Sequence, residues 1–220
     1  MKNYFLLAFL ALSIISCSND DDTTPEPEES FYALKVGNSW VYDYLNRENP
    51  MADLFNGTNS MAATTVIDSV KIVGTEEIGG NTFYKFRIRT SGNDQNYPMC
   101  YSDGEHFQYY RDSLGYLVNQ FGKVKFAVEG DTQEFLQRED QNFRYFMQLS
   151  EESEMVDTPS GTYDCFHMDF YLRSLGNNER SVGENNIYYQ EGIGEVFSTI
   201  SFASEALHRM ERRLVSYDIQ

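Results

Sequence analysis

Gly37-Asn38-Ser39-Trp40-Val41-Tyr42-Asp43-Tyr44-Leu45 is the stretch that decides the fold. Gly37-Asn38 is a turn signal. After it Trp40, Tyr42 and Tyr44 alternate with Val41, Asp43 and Leu45, the period of two that a β-strand imposes on its two faces. The same pattern recurs downstream. Thr64 to Val73 is rich in Val, Ile and Thr, and Ile78-Gly79-Gly80-Asn81 turns it back into Thr82 to Thr90, a hairpin. Ser102-Asp103-Gly104-Glu105 separates Tyr97–Tyr101 from His106–Tyr110, and Asp-Gly between alternating aromatics predicts a second hairpin.

Further strands are expected at Tyr116–Asn119 and Lys123–Glu129. Between Asp131 and Ser150 the apolar residues hold no single period, so a short helix or a strand fits equally. Thr162 to Arg173 alternates cleanly, with Phe166, Met168, Phe170 and Leu172 on one face and Cys165, His167, Asp169 and Tyr171 on the other. Gly176 to Asn186 reads as a loop and residues 45–60 as another; Ile187–Gln190 and Glu195–Phe202 read as strands. Leu207, Met210 and Leu214 would suit a closing helix, but a strand to Asp218 is preferred. Many short runs between Gly, Asn and Asp turns, without regular strand-helix alternation, imply a mainly β fold. The expected form is an antiparallel, strongly curved sheet or incomplete β-barrel with at most one or two short helices.

The N-terminus has a different character. Lys2, an apolar run from Tyr4 to Ile15 broken only by Ser13, and Ser16 before Cys17 make a secretory leader over residues 1–16. That run is shorter than the ~20 apolar residues of a membrane span. Ile14-Ile15-Ser16-Cys17 resembles the bacterial lipobox, which implies a lipidated Cys17 as the mature N-terminus. Ser18 after the cysteine resembles the pattern sorted to the outer membrane, and Asp20-Asp21-Asp22 resembles the surface-export signal of Bacteroidota lipoproteins. The implied location is the outer membrane, with the cell surface favoured over the periplasmic face. Residues 18–30, SNDDDTTPEPEES, carry six acids and no large apolar side chain, a composition expected of a disordered spacer. One domain is then expected over residues 31–220.

Small β-rich Bacteroidota lipoproteins of uncharacterised role are similar in several places. Leu34-Lys35-Val36-Gly37-Asn38-Ser39-Trp40 resembles their opening, and Val73-Gly74-Thr75-Glu76 with Gly79-Gly80-Asn81-Thr82-Phe83-Tyr84 resembles a following segment. Thr158-Pro159-Ser160-Gly161-Thr162-Tyr163-Asp164-Cys165 and Tyr188-Tyr189-Gln190-Glu191-Gly192-Ile193-Gly194-Glu195-Val196 are similar to two later signatures. The resemblance implies a fold and supplies no catalytic residue.

The chain has 17 basic and 34 acidic residues; Lys2 and six tether acids precede residue 31, leaving 16 against 28 and a net charge of -12 in the domain. Such a surface repels nucleic-acid phosphates and excludes nucleic acid as a partner. The membrane, through the lipid, is the expected partner, together with a glycan, a small molecule or a protein. With Cys17 in the anchor, Cys100 and Cys165 either pair as a disulfide in an oxidising compartment or sit apart as small core thiols; the sequence leaves both open. His106, His167 and His208 have no metal-ligand spacing, no cofactor motif occurs, and neither a nucleophile elbow nor a phosphate loop is present.

The aromatics are the candidate site. Trp40, Tyr42, Tyr44, Tyr109 and Tyr188, with Tyr110 and Tyr189, could face a ligand or simply fill a β core. Three functions follow in order: a lipid-anchored binding or accessory module, a carrier sheltering an apolar molecule within the curved sheet, and last a hydrolase. The carrier needs an interior cavity of about 300 Å³ or more.

Overall fold

The computed structural model describes residues 31–97, 100–128 and 132–220. The leader 1–16, Cys17 and the acidic tether 18–30 lie outside them.

Among the described residues thirteen strands form one antiparallel sheet: β1 (Ser39–Arg47), β2 (Met61–Ile78), β3 (Asn81–Ser91), β4 (Gly104–Ser113), β5 (Tyr116–Asn119), β6 (Val124–Ala127), β7 (Phe135–Glu139), β8 (Phe143–Leu149), β9 (Glu154–Thr158), β10 (Gly161–Ser174), β11 (Asn185–Gln190), β12 (Gly194–Ile200) and β13 (Met210–Asp218). The order β6-β5-β4-β3-β2-β1-β13-β12-β11-β10-β8-β7 is two meanders joined where the first strand meets the last. That joint runs antiparallel from Ser39↔Asp218 to Asn46↔Met210, with a bulge between Val41 and Tyr42. β9 pairs with the first half of β10, and β8 with the second half. The sheet curls into a nearly closed barrel whose one unsealed seam lies between β6 and β7, neighbours in sequence that do not hydrogen-bond as strands.

Local chemistry explains several of the connections. Gly79 and Gly80 both take positive φ, 59° and 79°, the backbone that a two-residue turn needs to match strand twist, and Ile78↔Asn81 closes the hairpin there. The Gly37-Asn38 turn locks the two chain ends together. Asn38, 1% exposed, donates from Nδ2 to Ala33 O (2.8 Å) and accepts at Oδ1 from Gln220 N (3.0 Å).

Within residues 45–60, expected as a loop, α1 (Pro50–Asn56) forms. Pro50 opens it and Gly57 closes it in the left-handed conformation. The buried Arg47–Asp53 pair (2.6 Å) ties it to β1, and Asp53 also accepts from Thr58 and Ser60. Burial opposes the charge of Asp53, but these hydrogen bonds hold its carboxyl below the usual range.

Among the described residues no hairpin forms across Asp103-Gly104, residues 98–99 of the expected first strand lying outside them. β4 begins at Gly104 and pairs with β3, while Tyr97 and Tyr101 lie in the connecting loop. Side chains take over the hydrogen bonding that a ladder would supply: Asn93 donates from Nδ2 to Tyr101 O and accepts from Tyr97 N, and Asp103 Oδ1 accepts from Asn93 N. The ambiguous stretch up to Ser150 is β7 and β8, and the chain closes as strand β13.

The main core collects Tyr32, Leu34, Trp40, Tyr42, Ile72, Ile88, Phe126, Met168, Tyr189, Val196 and Leu214 inside the barrel, and a smaller cluster of Tyr44, Val66 and Met210 lies beyond it. Phe166, Phe170 and Met168 pack on the core as their alternation predicts, though Tyr171 and Cys165 on the other parity are also buried, at 1% and 0% exposure. Tyr171 is roofed by Arg180, whose guanidinium sits 3.6 Å from its ring centre, and by Glu134, which accepts from its hydroxyl.

Candidate functional site: a charged cluster inside an aromatic barrel

The interior holds charge where alternation would place apolar side chains. On β2 Asp68 falls between Val66 and Val70, and on β13 Arg212 falls between Met210 and Leu214, all on the inward parity. Pairing brings them together: Tyr42 lies opposite Asp68, Asp68 opposite Thr90, Tyr44 opposite Arg212, and Arg212 opposite Ser198.

Arg212 is the hub. Its Nη1 donates to Glu195 Oε1 at 2.9 Å, its Nε lies 3.5 Å from Asp68 Oδ2, and its guanidinium stacks 3.5 Å from the centre of the Tyr42 ring. Asp68 also accepts from Tyr44 OH and from Thr90 Oγ1, each at 2.6 Å. Glu195 Oε1 accepts from Ser198 Oγ (3.0 Å), and Tyr42 OH donates to the backbone oxygen of Glu195 (2.7 Å). Such a set survives burial only because nearly every polar atom is answered.

The electrostatics follow. Burial opposes the Arg212 charge, yet Tyr44, Glu195, Tyr42 and Asp68 around it raise its pKa well above the ordinary value. Burial likewise pushes up the hydroxyls of Tyr42 and Tyr44. For Glu195 burial acts upward, but Arg212 and then Lys125 outweigh it and hold the carboxyl below its ordinary 4.5. A carboxyl depressed in the fold binds fewer protons there than in the unfolded chain, so it stabilises above pH ~4.5 and that contribution fades as pH falls through the lower, folded value. Glu195→Gln is therefore expected to flatten the rise of unfolding free energy with pH between about 3 and 5 in urea titrations. A variant with the wild-type slope would contradict this.

Beside the cluster lies a cavity of about 60 Å³, lined by Trp40, Tyr42, Phe86, Tyr110, Tyr189 and Gln108, with Lys125, Glu195 and Arg212 supplying charge. The Trp40 and Phe86 rings stack at 6.1 Å, and Tyr110 meets Phe86 edge-on at 5.4 Å. Trp40 Nε1 donates to Ile193 O at 2.7 Å, which fixes the indole. The volume is far below the ~300 Å³ that an apolar carrier requires. A larger hollow, about 320 Å³, is an open groove on the outside between Phe143, Leu172, Val182 and Ala203, not a chamber within the sheet.

The five aromatics singled out from the sequence do not form one stripe. Trp40 and Tyr42 line the cavity, while Tyr44 lies outside its lining, in the smaller cluster. Tyr109 points the other way from Tyr110, with Lys85 Nζ 5.5 Å from its ring centre. Tyr188, separated from Tyr189 by a bulge, stacks on His167 at 5.0 Å, pairs across strands with Phe197, and donates to Glu154. Strand alternation puts Tyr109 and Tyr110 on opposite faces, whereas across the bulge Tyr188 and Tyr189 both belong to the main core at 6% exposure, a difference that grouping them by residue type ignored.

Cys100 and Cys165 are free, so the disulfide alternative gives way to two separate thiols. Cys165 belongs to the main core and Cys100 packs on the smaller cluster. Burial pushes each thiol up to about 12, which keeps both protonated and unreactive at neutral pH. The histidines lie apart: His106 stacks on Tyr101, His167 on Tyr188, and His208 contacts Glu211 at 2.8 Å. Among the described residues no three His, Cys, Asp or Glu side chains gather as a metal site.

No family model matches the chain, and no curated protein matches it. Two solved structures do. One is an inferred exported protein with a YmcC-like fold from Bacteroides fragilis, 12% identical, with 86% of this chain and 99% of that chain covered at a TM-score of 0.46. The other is an inferred lipoprotein from Parabacteroides distasonis, 13% identical, with the same coverage of 86% and 99% at a TM-score of 0.42.

Proposed function

We propose that this chain is a lipid-anchored protein of the bacterial outer membrane, facing the cell surface, whose barrel works as a small-molecule binding module. The observation that carries the binding role is the interior cavity, because it spends three charged side chains and a wall of aromatics on a space that apolar residues could have filled. The anchor rests on Ile14-Ile15-Ser16-Cys17 and the charged, apolar leader before it. Each buried methylene of a lipid contributes roughly 0.8 kcal/mol, so several chains on Cys17 would hold the protein at the membrane without a spanning helix. The 13-residue tether could then place the barrel up to roughly 45 Å from the bilayer.

Cys17→Ser tests the anchor. Expressed in a Bacteroidota host fed labelled palmitate, the wild-type chain is expected to carry label and sediment with outer membranes. The variant is expected to lose the label and at least tenfold of its membrane-bound fraction, and equal sedimentation of the two would refute the anchor. Protease added to intact cells is expected to cut the wild-type tether, and full protection would refute the surface-facing form.

A further inference from the structure

We infer that the interior cavity is a site for a short carboxylate, an assignment that deepens the binding-module reading and rests on it. The cavity keeps hydrogen-bond donors that the protein itself does not use. Tyr189 lines it at 6% exposure, and its hydroxyl has no partner among the described residues. The Tyr110 hydroxyl and the Lys125 ammonium are likewise without a hydrogen bond or ion pair among those residues. These three donors open onto the same small space, so an occupant that brings acceptors can answer all of them there.

Charge narrows the class. Lys125 and Arg212 face the cavity together with Glu195, and Asp68, 3.5 Å behind Arg212, brings the four to a net charge of zero; Arg212 is committed to the two carboxylates, which leaves Lys125 as the cation of the cavity with no ion pair among the described residues. Oε1 of Glu195 is already taken by Arg212 and Ser198, and its carboxylate repels an anion brought close to it. A ligand carboxylate therefore settles on the Lys125, Tyr110 and Tyr189 side, with N–H and O–H groups donating to its two oxygens. Size limits the rest. A water needs about 10–15 Å³ measured in this way, so 60 Å³ admits roughly four to six non-hydrogen atoms. The stacked Trp40 and Phe86 rings offer an apolar wall to a tail of one or two carbons.

The test is thermal unfolding and titration calorimetry of the full chain in detergent with acetate and propionate, against acetamide, propionamide and inorganic phosphate at matched ionic strength. Acetate or propionate is expected to bind saturably with a Kd of about 1 mM or tighter and to raise Tm by roughly 2–8 °C at saturation. Lys125→Met keeps the stem and removes the charge, and Tyr189→Phe removes only the hydroxyl; each is expected to weaken acetate at least tenfold while the folded circular dichroism spectrum persists. Should either variant fail to fold, the comparison of acetate with acetamide on the wild-type chain decides the matter. Equal binding of acetamide, equal binding of phosphate, or full affinity in a folded Lys125→Met would overturn the carboxylate assignment and leave the binding module standing. No saturable response to any of the five probes would overturn both.

Discussion

Arg212→Met is expected to remove about 3–5 kcal/mol of stability in urea unfolding at pH 7, a large share of the 5–15 kcal/mol that holds a typical domain folded. The reason is arithmetic of charge, not packing, since methionine occupies much of the same stem. Among the described residues Arg212 is the only cation within 4 Å of Asp68, and it bonds Glu195 as well; side-chain exposures are 14% for Arg212, 1% for Asp68 and 15% for Glu195. Without it Asp68 and Glu195 keep, among the described residues, only hydroxyls as side-chain hydrogen-bond partners, which answer their lone pairs without neutralising them, and Lys125 attracts Glu195 only from beyond ion-pair distance. The same physics sets the rescue. Adding Asp68→Asn and Glu195→Gln to Arg212→Met removes both stranded charges and is expected to regain more than half of the loss. A single-variant loss under about 1 kcal/mol, or no recovery in the triple variant, would mean that water reaches the cluster and screens it.

That cluster was within reach of the sequence, though the aromatics drew attention away from it. Val66-x-Asp68-x-Val70-x-Ile72 and Met210-x-Arg212-x-Leu214 each set a charge at a position whose neighbours two residues away are buried apolar side chains. Opposite charges on the inward parity of two strands predict a pair if the strands share a barrel. What the sequence does not display is that β1 stands between them, because the pairing of the first strand with the last is a contact across most of the chain length.

The β class and most strands were legible because period-two alternation is a local property, and Gly79-Gly80 marks its hairpin through the backbone it alone tolerates cheaply. Two failures have local causes too. At Asp103-Gly104 the turn signal was real chemistry put to another use, a carboxylate capping Asn93 N instead of nucleating a hairpin. The helix Pro50–Asn56 is too short to show a 3.6-residue period, so its evidence was confined to Pro50 at the start and Gly57 at the end. The aromatic wall of the cavity was legible in Trp40 and Tyr42, but its charge was not, since the reading of the aromatic stripe took no account of Lys125 and Glu195, which share the space with those rings.

Phe126→Ala is expected to cost about 3–5 kcal/mol and, more tellingly, to loosen the barrel from its seam. Phe126 is fully buried on β6 and stands at the crossing of three rings: Tyr189 at 4.2 Å, Phe31 at 6.1 Å and Tyr32 at 6.3 Å. Among the described residues β6 has a hydrogen-bonded strand on one side only, β5. Across the seam the contacts are made by side chains: Ala127 N donates to the sulfur of Met168 at 3.1 Å, and Tyr116 on β5 meets Phe135 on β7 edge-on at 5.7 Å. Packing thus does at the seam what a ladder does elsewhere, and packing is what this substitution removes. Amide exchange is expected to speed up by at least tenfold in β5 and β6, whereas β1, β2 and β13, paired on both sides, keep the protection of the global fold. Uniform acceleration in all strands would show instead that the barrel opens only as a whole, and that the seam is no weaker than the joint between its two meanders.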